Sequence, residues 1–323
     1  MPSRSVFQWL LGDDEPSVRY LALVELLDRP KTDPDVKETH AAISQRGWAN
    51  EILRLQKPGG YWEHADNLYR PKYVATNWRL IVLSDLGLTA KDPRVRKTCE
   101  IFLHSYPRKD GGFGRVSSHF CFTGNLARTL IKCGYEEERT VRTALDWLVR
   151  NQKEDGGWHC FGFSYGTLDC WEALSAFAVF PRHKWSRSIK RSVERGCEFY
   201  LNRRLFRQGK KKYEPWFRFH YPVHYYYDLL VGLDLITSLG YVEDKRLIPA
   251  LELLRKKRGS DGRWNLDAIH PDVAPDDMYK VVPPYEPQVP IPFSLERAGK
   301  PSRWITLIAL RVLRRVDGGS PRN

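Results

Sequence analysis

The 323-residue sequence contains no apolar run that approaches the roughly 18–20 residues of a membrane-spanning helix. Residues 1–11 show neither the long apolar core nor the small-residue cleavage site of a secretory signal. We therefore expect a cytoplasmic protein. No low-complexity linker divides the chain, and 42% of its residues are hydrophobic, which suffices for one large core. A single domain over residues 1–323 is the expectation.

None of the six cysteines forms a Cys-x-x-Cys pair, so we expect reduced, mostly buried thiols. The formal net charge is +13, yet no nucleic-acid-binding motif accompanies it, and no specific nucleic-acid partner is expected. The charge suits a diphosphate-bearing ligand or peripheral contact of the protein with an anionic membrane surface. The densest basic run, residues 203–212, is interpreted as a solvated loop.

A glycine-aromatic signal recurs along the chain and indicates a structural repeat. Its first three copies begin 52 and 45 residues apart, and a degenerate copy falls between the third and the last. The five copies are Gly59-Gly60-Tyr61, Gly111-Gly112-Phe113, Gly156-Gly157-Trp158, the degenerate Gly209 to Tyr213 and Asp261-Gly262-Arg263-Trp264.

Each glycine turn lies between two kinds of predicted helix. The preceding helix has one apolar stripe, as in Val141, Ala144, Leu145 and Leu148. The following helix is apolar on nearly all sides, as expected of a helix buried inside a second layer. These apolar helices are predicted at 17–27, 75–87, 120–134, 167–180, 224–240 and 302–316.

This alternation predicts an all-α protein with about six inner and five outer helices in a closed double ring, an α/α toroid. The alternative is an open solenoid of the HEAT type. Its repeats run about 40–47 residues and lack glycine-aromatic turns, so the closed ring is favoured.

The segments 56–62 (QKPGGYW) and 152–158 (QKEDGGW) resemble the QW motif of squalene and other terpene cyclases. The same turn occurs in protein prenyltransferase β subunits. The resemblance implies that Gln152 and Trp158 are structural residues that tie outer helices together. It also implies an apolar central cavity that opens at the glycine-turn end and holds an isoprenoid or lipid-like molecule.

The resemblance to terpene cyclases implies an aromatic cavity wall, for which Trp78, Tyr225, Tyr226 and Trp304 are the candidates. Protonation-initiated cyclisation requires an acidic Asp-x-Asp-Asp motif, which this sequence lacks. An ordinary class II cyclisation is therefore not expected.

The resemblance to prenyltransferases implies a zinc site, with zinc or magnesium as the cofactor it allows. Asp169, Cys170 and His224 follow the order of that family's ligands, and Asp228 completes the predicted catalytic set. Asp169 and Cys170 are adjacent, whereas the family separates them by one residue, so an anion site is favoured over a metal site. Further candidate metal ligands are Cys121, His159 and Cys160.

Three arginines near the starts of inner helices, Arg79, Arg128 and Arg303, are predicted to bind a diphosphate. Ion pairs with acidic residues across the ring are the alternative role for each of them. Residues 265–301 carry seven prolines between positions 271 and 292 and are predicted to form a lid or a wrapping extension.

These features favour an enzyme of the terpene cyclase or prenyltransferase type acting on an isoprenoid. Two alternatives stay open, namely a non-catalytic carrier of isoprenoids or lipids and a helical scaffold that binds another macromolecule. The lining of the ring interior distinguishes the first two from the third.

Overall fold

A computed structural model of the chain describes residues 4–159, 168, 171–207, 214–269 and 295–318. In these ranges the backbone is helical, and β-structure is confined to isolated bridges such as that between Lys57 and Tyr61. The predicted all-α class is therefore confirmed. No helix in these ranges combines the length and the apolar character that crossing a membrane requires.

Thirteen α-helices are described, numbered here in chain order. They are α1 Arg4–Leu10, α2 Pro16–Leu21, α3 Pro34–Ala42, α4 Gly47–Arg54, α5 Thr76–Asp85, α6 Pro93–Ser105, α7 Phe120–Cys133, α8 Arg139–Arg150, α9 Trp171–Val179, α10 Arg187–Asn202, α11 Leu229–Ser238, α12 Ile248–Lys256 and α13 Arg303–Asp317. A π-helical segment, Ala22–Leu26, extends α2.

The inner layer consists of α2 with its π-helical extension and of α5, α7, α9, α11 and α13. Helices α5 to α13 of this set contact one another in chain order, and α13 returns to α2 and its extension. The helices therefore form an α/α toroid rather than an open superhelix. Helices α7 and α9 cross closely because Gly124 has no side chain: a Cβ there would lie 2.4 Å from the carbonyl carbon of Glu172.

The outer helices α4, α8 and α12 end in the same way. A fully buried tryptophan from the following glycine turn donates its indole N–H to the carbonyl group ten residues earlier. This contact fixes each turn against the end of its own outer helix. The bonds join Trp62 to Ile52, Trp158 to Leu148 and Trp264 to Leu254, at 2.9, 2.9 and 2.8 Å.

The glutamines that precede the turns link neighbouring outer helices. The Gln152 amide donates to the carbonyl of Gly156 at 2.8 Å and to that of Ser192, on α10, at 2.9 Å. The Gln56 amide donates to the Thr98 hydroxyl of α6 at 2.8 Å. Each glutamine thus connects one repeat to the next.

One inner helix begins later than the sequence predicts. Helix α11 starts at Leu229 rather than at His224, because the Asp228 carboxylate accepts the N–H of Val231 and caps the helix there. Residues 221–227 instead form an irregular connection with bends. The predicted start of the preceding inner helix, residue 167, lies outside the described residues.

Candidate functional site

A cavity of about 480 Å³ lies inside the ring of inner helices. Its wall includes the C-terminal turns of the inner helices and reaches the loops that follow them, at Lys31, Gly87 and Thr89. The cavity therefore extends towards the end of the ring opposite the glycine turns. The starts of inner helices also contribute to the wall, at Trp171, Tyr221 and Trp304, and the predicted opening at the glycine-turn end stays a prediction.

The wall of this cavity is partly apolar and partly charged, whereas the sequence predicts an apolar lining. The aromatic side chains of Trp171, Tyr221 and Trp304 form part of it. Many of the charged residues lie in the last turns of inner helices. The hydrophobic pattern of those helices does not reveal them. The charged lining residues are Glu25, Lys31, Asp85, Arg128, Lys132, Asp228, Asp234, Arg311 and Arg315.

At the glycine-turn end, Tyr69, Tyr73, Trp78, His224 and Tyr225 pack together; we call them the aromatic cluster. The Trp78 indole N–H donates to the carbonyl of Tyr69 at 2.8 Å, and the hydroxyls of Tyr69 and Tyr225 lie 2.7 Å apart. The His224 ring stacks on Tyr73 with centroids 4.9 Å apart and meets the edge of Trp78 at 5.3 Å. The irregular connection before α11 brings His224 and Tyr225 to this cluster.

Several predicted site residues therefore have packing roles in the structure. Trp78 is fully buried, and burial raises the pKa of Tyr225 well above its ordinary value, so its phenol stays neutral. The ring of Tyr226 lies at the margin of the cluster, 6.5 Å from that of Tyr73. Trp304 is separate from this cluster and stacks on Tyr221, with ring centroids 4.2 Å apart.

The structure brings one of the three predicted arginines to the cavity. Arg79 donates to the Val74 carbonyl at 2.6 Å and lies 3.4 Å from a Glu63 carboxylate oxygen. Arg303 pairs with Asp14 at 2.5 Å, towards the N-terminal segment. Only Arg128 belongs to the cavity lining.

Arg128 is held in the wall without a hydrogen bond from its Nε or Nη2. Both atoms are buried and have no hydrogen-bond partner among the described residues. The closest carboxylate oxygen to Nη2 is that of Asp85, at 3.7 Å, and the guanidinium lies 5.2 Å from the Trp171 ring centroid. Buried guanidinium N–H groups without acceptors favour the arrival of an anion.

Asp85 is shared between Arg128 and Lys132, whose ammonium group lies 2.6 Å from its Oδ1. Burial raises the pKa of Asp85, but the two cations outweigh that effect and the net pKa is lowered. One carboxylate thus faces two cations. This part of the wall carries an excess positive charge.

An ion-pair network in the cavity wall joins α13 to α11 and to the π-helical extension of α2. We call it the clasp; its members are Glu25, Asp234, Arg311 and Arg315. The Arg311 guanidinium binds both Asp234 oxygens, at 2.9 and 2.6 Å, and a Glu25 oxygen at 2.6 Å. Arg315 adds a contact to Asp234 at 2.8 Å. Burial raises the pKa of Asp234, but Arg311 and Arg315 reverse the shift and hold that pKa below its ordinary value.

The predicted catalytic residue Asp228 forms a buried pair with His220, a residue that the sequence argument missed. The Asp228 Oδ2 accepts the His220 backbone N–H at 3.0 Å and lies 2.7 Å from His220 Nδ1. Both residues line the cavity. His220 belongs to no recognisable motif. The one signal in the sequence is its position eight residues before Asp228, the N-cap of α11.

Next to this pair, the Tyr221 hydroxyl is buried and has no hydrogen-bond partner among the described residues. Burial raises the pKa of Tyr221 well above its ordinary value, with Asp85 adding to the shift and Arg128 opposing it. The phenol therefore stays protonated, close to the charges of Asp85 and Arg128.

The described residues do not assemble a zinc site. No group of three or more His, Cys, Asp or Glu side chains among them could hold a metal ion. Cys121 is half-buried at the start of α7, and His159 pairs with Asp155 at 3.0 Å. Asp169, Cys170 and Cys160 lie outside the described residues, so their metal and catalytic roles stay predictions.

The predicted lid is described only at its two ends, because residues 270–294 lie outside the described ranges. The ends pair with each other: Leu266 donates its N–H to the Lys300 carbonyl at 3.0 Å, and Gly299 donates to that of Leu266 at 2.7 Å. The segment therefore leaves the ring and returns to it at one place.

Comparison with known proteins identifies the family. The model of the squalene-hopene cyclase C-terminal domain matches residues 63–229, just over half of the chain. The chain belongs to this family. No curated protein matches it in sequence.

Solved structures with a similar arrangement of helices include a type II terpene cyclase from Scytonema in complex with its product, merosterolic acid A. It is 14% identical, with a TM-score of 0.49, and the match covers 95% of this chain and 87% of that chain. A protein from Actinoplanes is 18% identical, with a TM-score of 0.47 and coverage of 94% and 90%. A family 88 glycosyl hydrolase from Bacteroides vulgatus is 12% identical, with a TM-score of 0.47 and coverage of 94% and 91%.

Proposed function

We propose that the protein binds an isoprenoid diphosphate in the cavity of the ring. The observation that carries the proposal is Arg128, whose Nε and Nη2 are buried in the cavity wall without a hydrogen-bond partner among the described residues. A bound phosphate oxygen would supply the missing acceptor. Charge-assisted bonds of this kind are among the stronger ones in proteins.

The surroundings of Arg128 suit a ligand with a charged head and an apolar chain. Lys132 adds a second cation, and Asp85 neutralises only one of the two. Trp171, Tyr221 and Trp304 offer aromatic faces against which isoprene units can pack. A volume of about 480 Å³ lies within the usual range of small-molecule sites, roughly 300–1,000 Å³.

Binding is measured by titration calorimetry with the magnesium salt of farnesyl diphosphate and, separately, with farnesol. We expect the diphosphate to bind more tightly than the alcohol, and Arg128→Gln to weaken diphosphate binding by about 10- to 100-fold. Farnesol binding should change little in that variant.

Arg139→Gln is the matched control, because Arg139 is exposed at the start of the outer helix α8. Melting temperatures of both variants verify folding. Equal affinities of the alcohol and the diphosphate, or wild-type affinity in a folded Arg128→Gln protein, would contradict the proposal.

A further inference from the structure

We infer that His220, oriented by Asp228, is the general base that removes a proton from the isoprenoid chain once its diphosphate has left. The cavity would then convert a prenyl diphosphate into a diene by elimination. This inference rests on the proposed binding function and adds a reaction to it.

The hydrogen bonds of Asp228 determine which nitrogen of His220 carries the proton. Its carboxylate also accepts the backbone N–H groups of His220 and Val231, at 3.0 and 2.9 Å, and so acts as an acceptor. His220 Nδ1, 2.7 Å away, must therefore be the donor. In the neutral ring this leaves the lone pair on Nε2.

His220 Nε2 has no hydrogen-bond partner among the described residues, although the side chain is almost completely buried. A base whose other nitrogen is held by a carboxylate is the usual arrangement for proton transfer at a histidine. The carboxylate keeps the tautomer and stabilises the imidazolium that forms. The residue belongs to the wall of the same cavity as Arg128.

Three carboxylates of the described lining are already engaged by cations. Glu25 and Asp234 bind Arg311, and Asp85 binds Lys132. His40 lies 3.0 Å from the Gly87 carbonyl through its Nε2. The neutral His40 ring, which donates from Nε2 to that carbonyl, has its own lone pair on Nδ1, so what distinguishes His220 is the carboxylate of Asp228 on its other nitrogen.

The reaction balances without a further reactant. The allylic C–O bond breaks and its electron pair leaves with the diphosphate, which Arg128 and Lys132 stabilise. A C–H bond next to the cationic carbon then breaks, and its electron pair forms the new C=C bond. The proton goes to Nε2, and the resulting imidazolium remains paired with the Asp228 carboxylate.

The first test uses wild-type protein labelled with ¹⁵N-histidine. Two-bond N–H correlation spectra report which nitrogen of each imidazole carries the proton. We expect His220 to be protonated at Nδ1, its signals being those lost in His220→Asn, whereas those of His104, whose Nδ1 faces a carbonyl, remain. A His220 ring protonated at Nε2 instead would overturn the assignment, and this measurement requires no turnover.

The second test incubates the protein with the magnesium salt of farnesyl diphosphate and quantifies diphosphate, hydrocarbon and farnesol. Wild-type protein should release diphosphate and diene in equal amounts. His220→Asn removes the basic ring nitrogen, while its amide can still donate to Asp228. Diene formation should then fall at least about 100-fold, with affinity for the diphosphate changed less than about threefold.

His104→Asn is the control, since His104 lies on the outer helix α6 and its Nδ1 contacts the carbonyl of Glu100 in the same helix. His220→Gln serves as a second variant if the asparagine protein does not fold. A wild-type protein that binds the diphosphate but forms no diene overturns this inference and leaves the binding proposal intact. Full diene formation in a folded His220 variant also overturns it, whereas loss of binding itself contradicts the proposed function.

Discussion

The pKa values of three buried carboxyl groups, one at one end of the inner ring and two at the other, are shifted in opposite directions. At the glycine-turn end, burial raises the pKa of Glu15 to about 7, even though its oxygens accept the N–H groups of Trp48 and Ser17. At the opposite end, the pKa values of Asp85 and Asp234 are lowered despite their burial. The difference lies in the cations: Arg303 acts on Glu15 too weakly to reverse the effect of burial, whereas at the second end several cations act on Asp85 and Asp234 and reverse it.

The contrast indicates that the end opposite the glycine turns is the one that accommodates charged groups. The C-terminal ends of helices carry partial negative charge, and the basic residues there complement it. Arg311 and Arg315 form the ion pairs of the clasp, whereas Arg128 retains N–H groups without acceptors among the described residues. The aromatic cluster stabilises the glycine-turn end by packing, whereas the clasp stabilises the opposite end by ion pairs and leaves Arg128 available.

The largest effect is expected at the aromatic cluster. Trp78→Ala removes a fully buried indole that contacts the rings of Tyr69, Tyr73, His224 and Tyr225. We expect the free energy of unfolding to fall by about 3–5 kcal/mol, because a large cavity is left. Urea denaturation measures it, and Trp78→Phe, which keeps a ring, should lose clearly less. Equal losses in the two variants would show that packing does not dominate this end.

At the opposite end, Arg311→Met should lower the free energy of unfolding by about 3 kcal/mol. The substitution leaves Asp234 and Glu25 in a largely buried place without their main cation. Arg255→Met is the control, because Arg255 forms an exposed pair with Asp317 that contributes little. If both variants unfold at the same urea concentration as the wild type, the clasp does not stabilise ring closure.

A smaller, pH-dependent effect distinguishes the two ends directly. Because the pKa of Glu15 is raised to about 7 in the folded protein, its contribution to stability is fully present below pH 4.5. That contribution is lost as the pH rises through 7. Glu15→Gln should remove this dependence. The free energy of unfolding of the variant minus that of the wild type should therefore rise by roughly 2–3 kcal/mol between pH 4.5 and pH 8.

Urea denaturation at pH 4.5, 6 and 8 measures the two proteins side by side. Asp13→Asn is the control, since Asp13 lies nearby but is mainly exposed. Parallel pH profiles for Glu15→Gln and wild type would show that burial does not govern this carboxyl group.

Much of the fold follows from the sequence by itself. The glycine turns, the stripes of the outer helices and the apolar character of the inner helices are local patterns, and each reports how its own segment is buried. The starts of α5, α7 and α13 were predicted within one residue, at 75, 120 and 302. The start of α11 was missed by five residues, because the pattern continues through Tyr225 and Tyr226, which pack outside any helix.

Which side chains meet in the site is decided by the tertiary structure. Glu25 and Arg311 are 286 positions apart, and nothing local indicates that they meet when the ring closes. The same holds for the arginines: the sequence predicts Arg79, Arg128 and Arg303 near the starts of inner helices, yet Arg128 lies past the middle of α7 and is the one of the three that lines the cavity. Periodicity tells which face of a helix is buried, but which side chains share a cavity depends on how six helices are arranged around it.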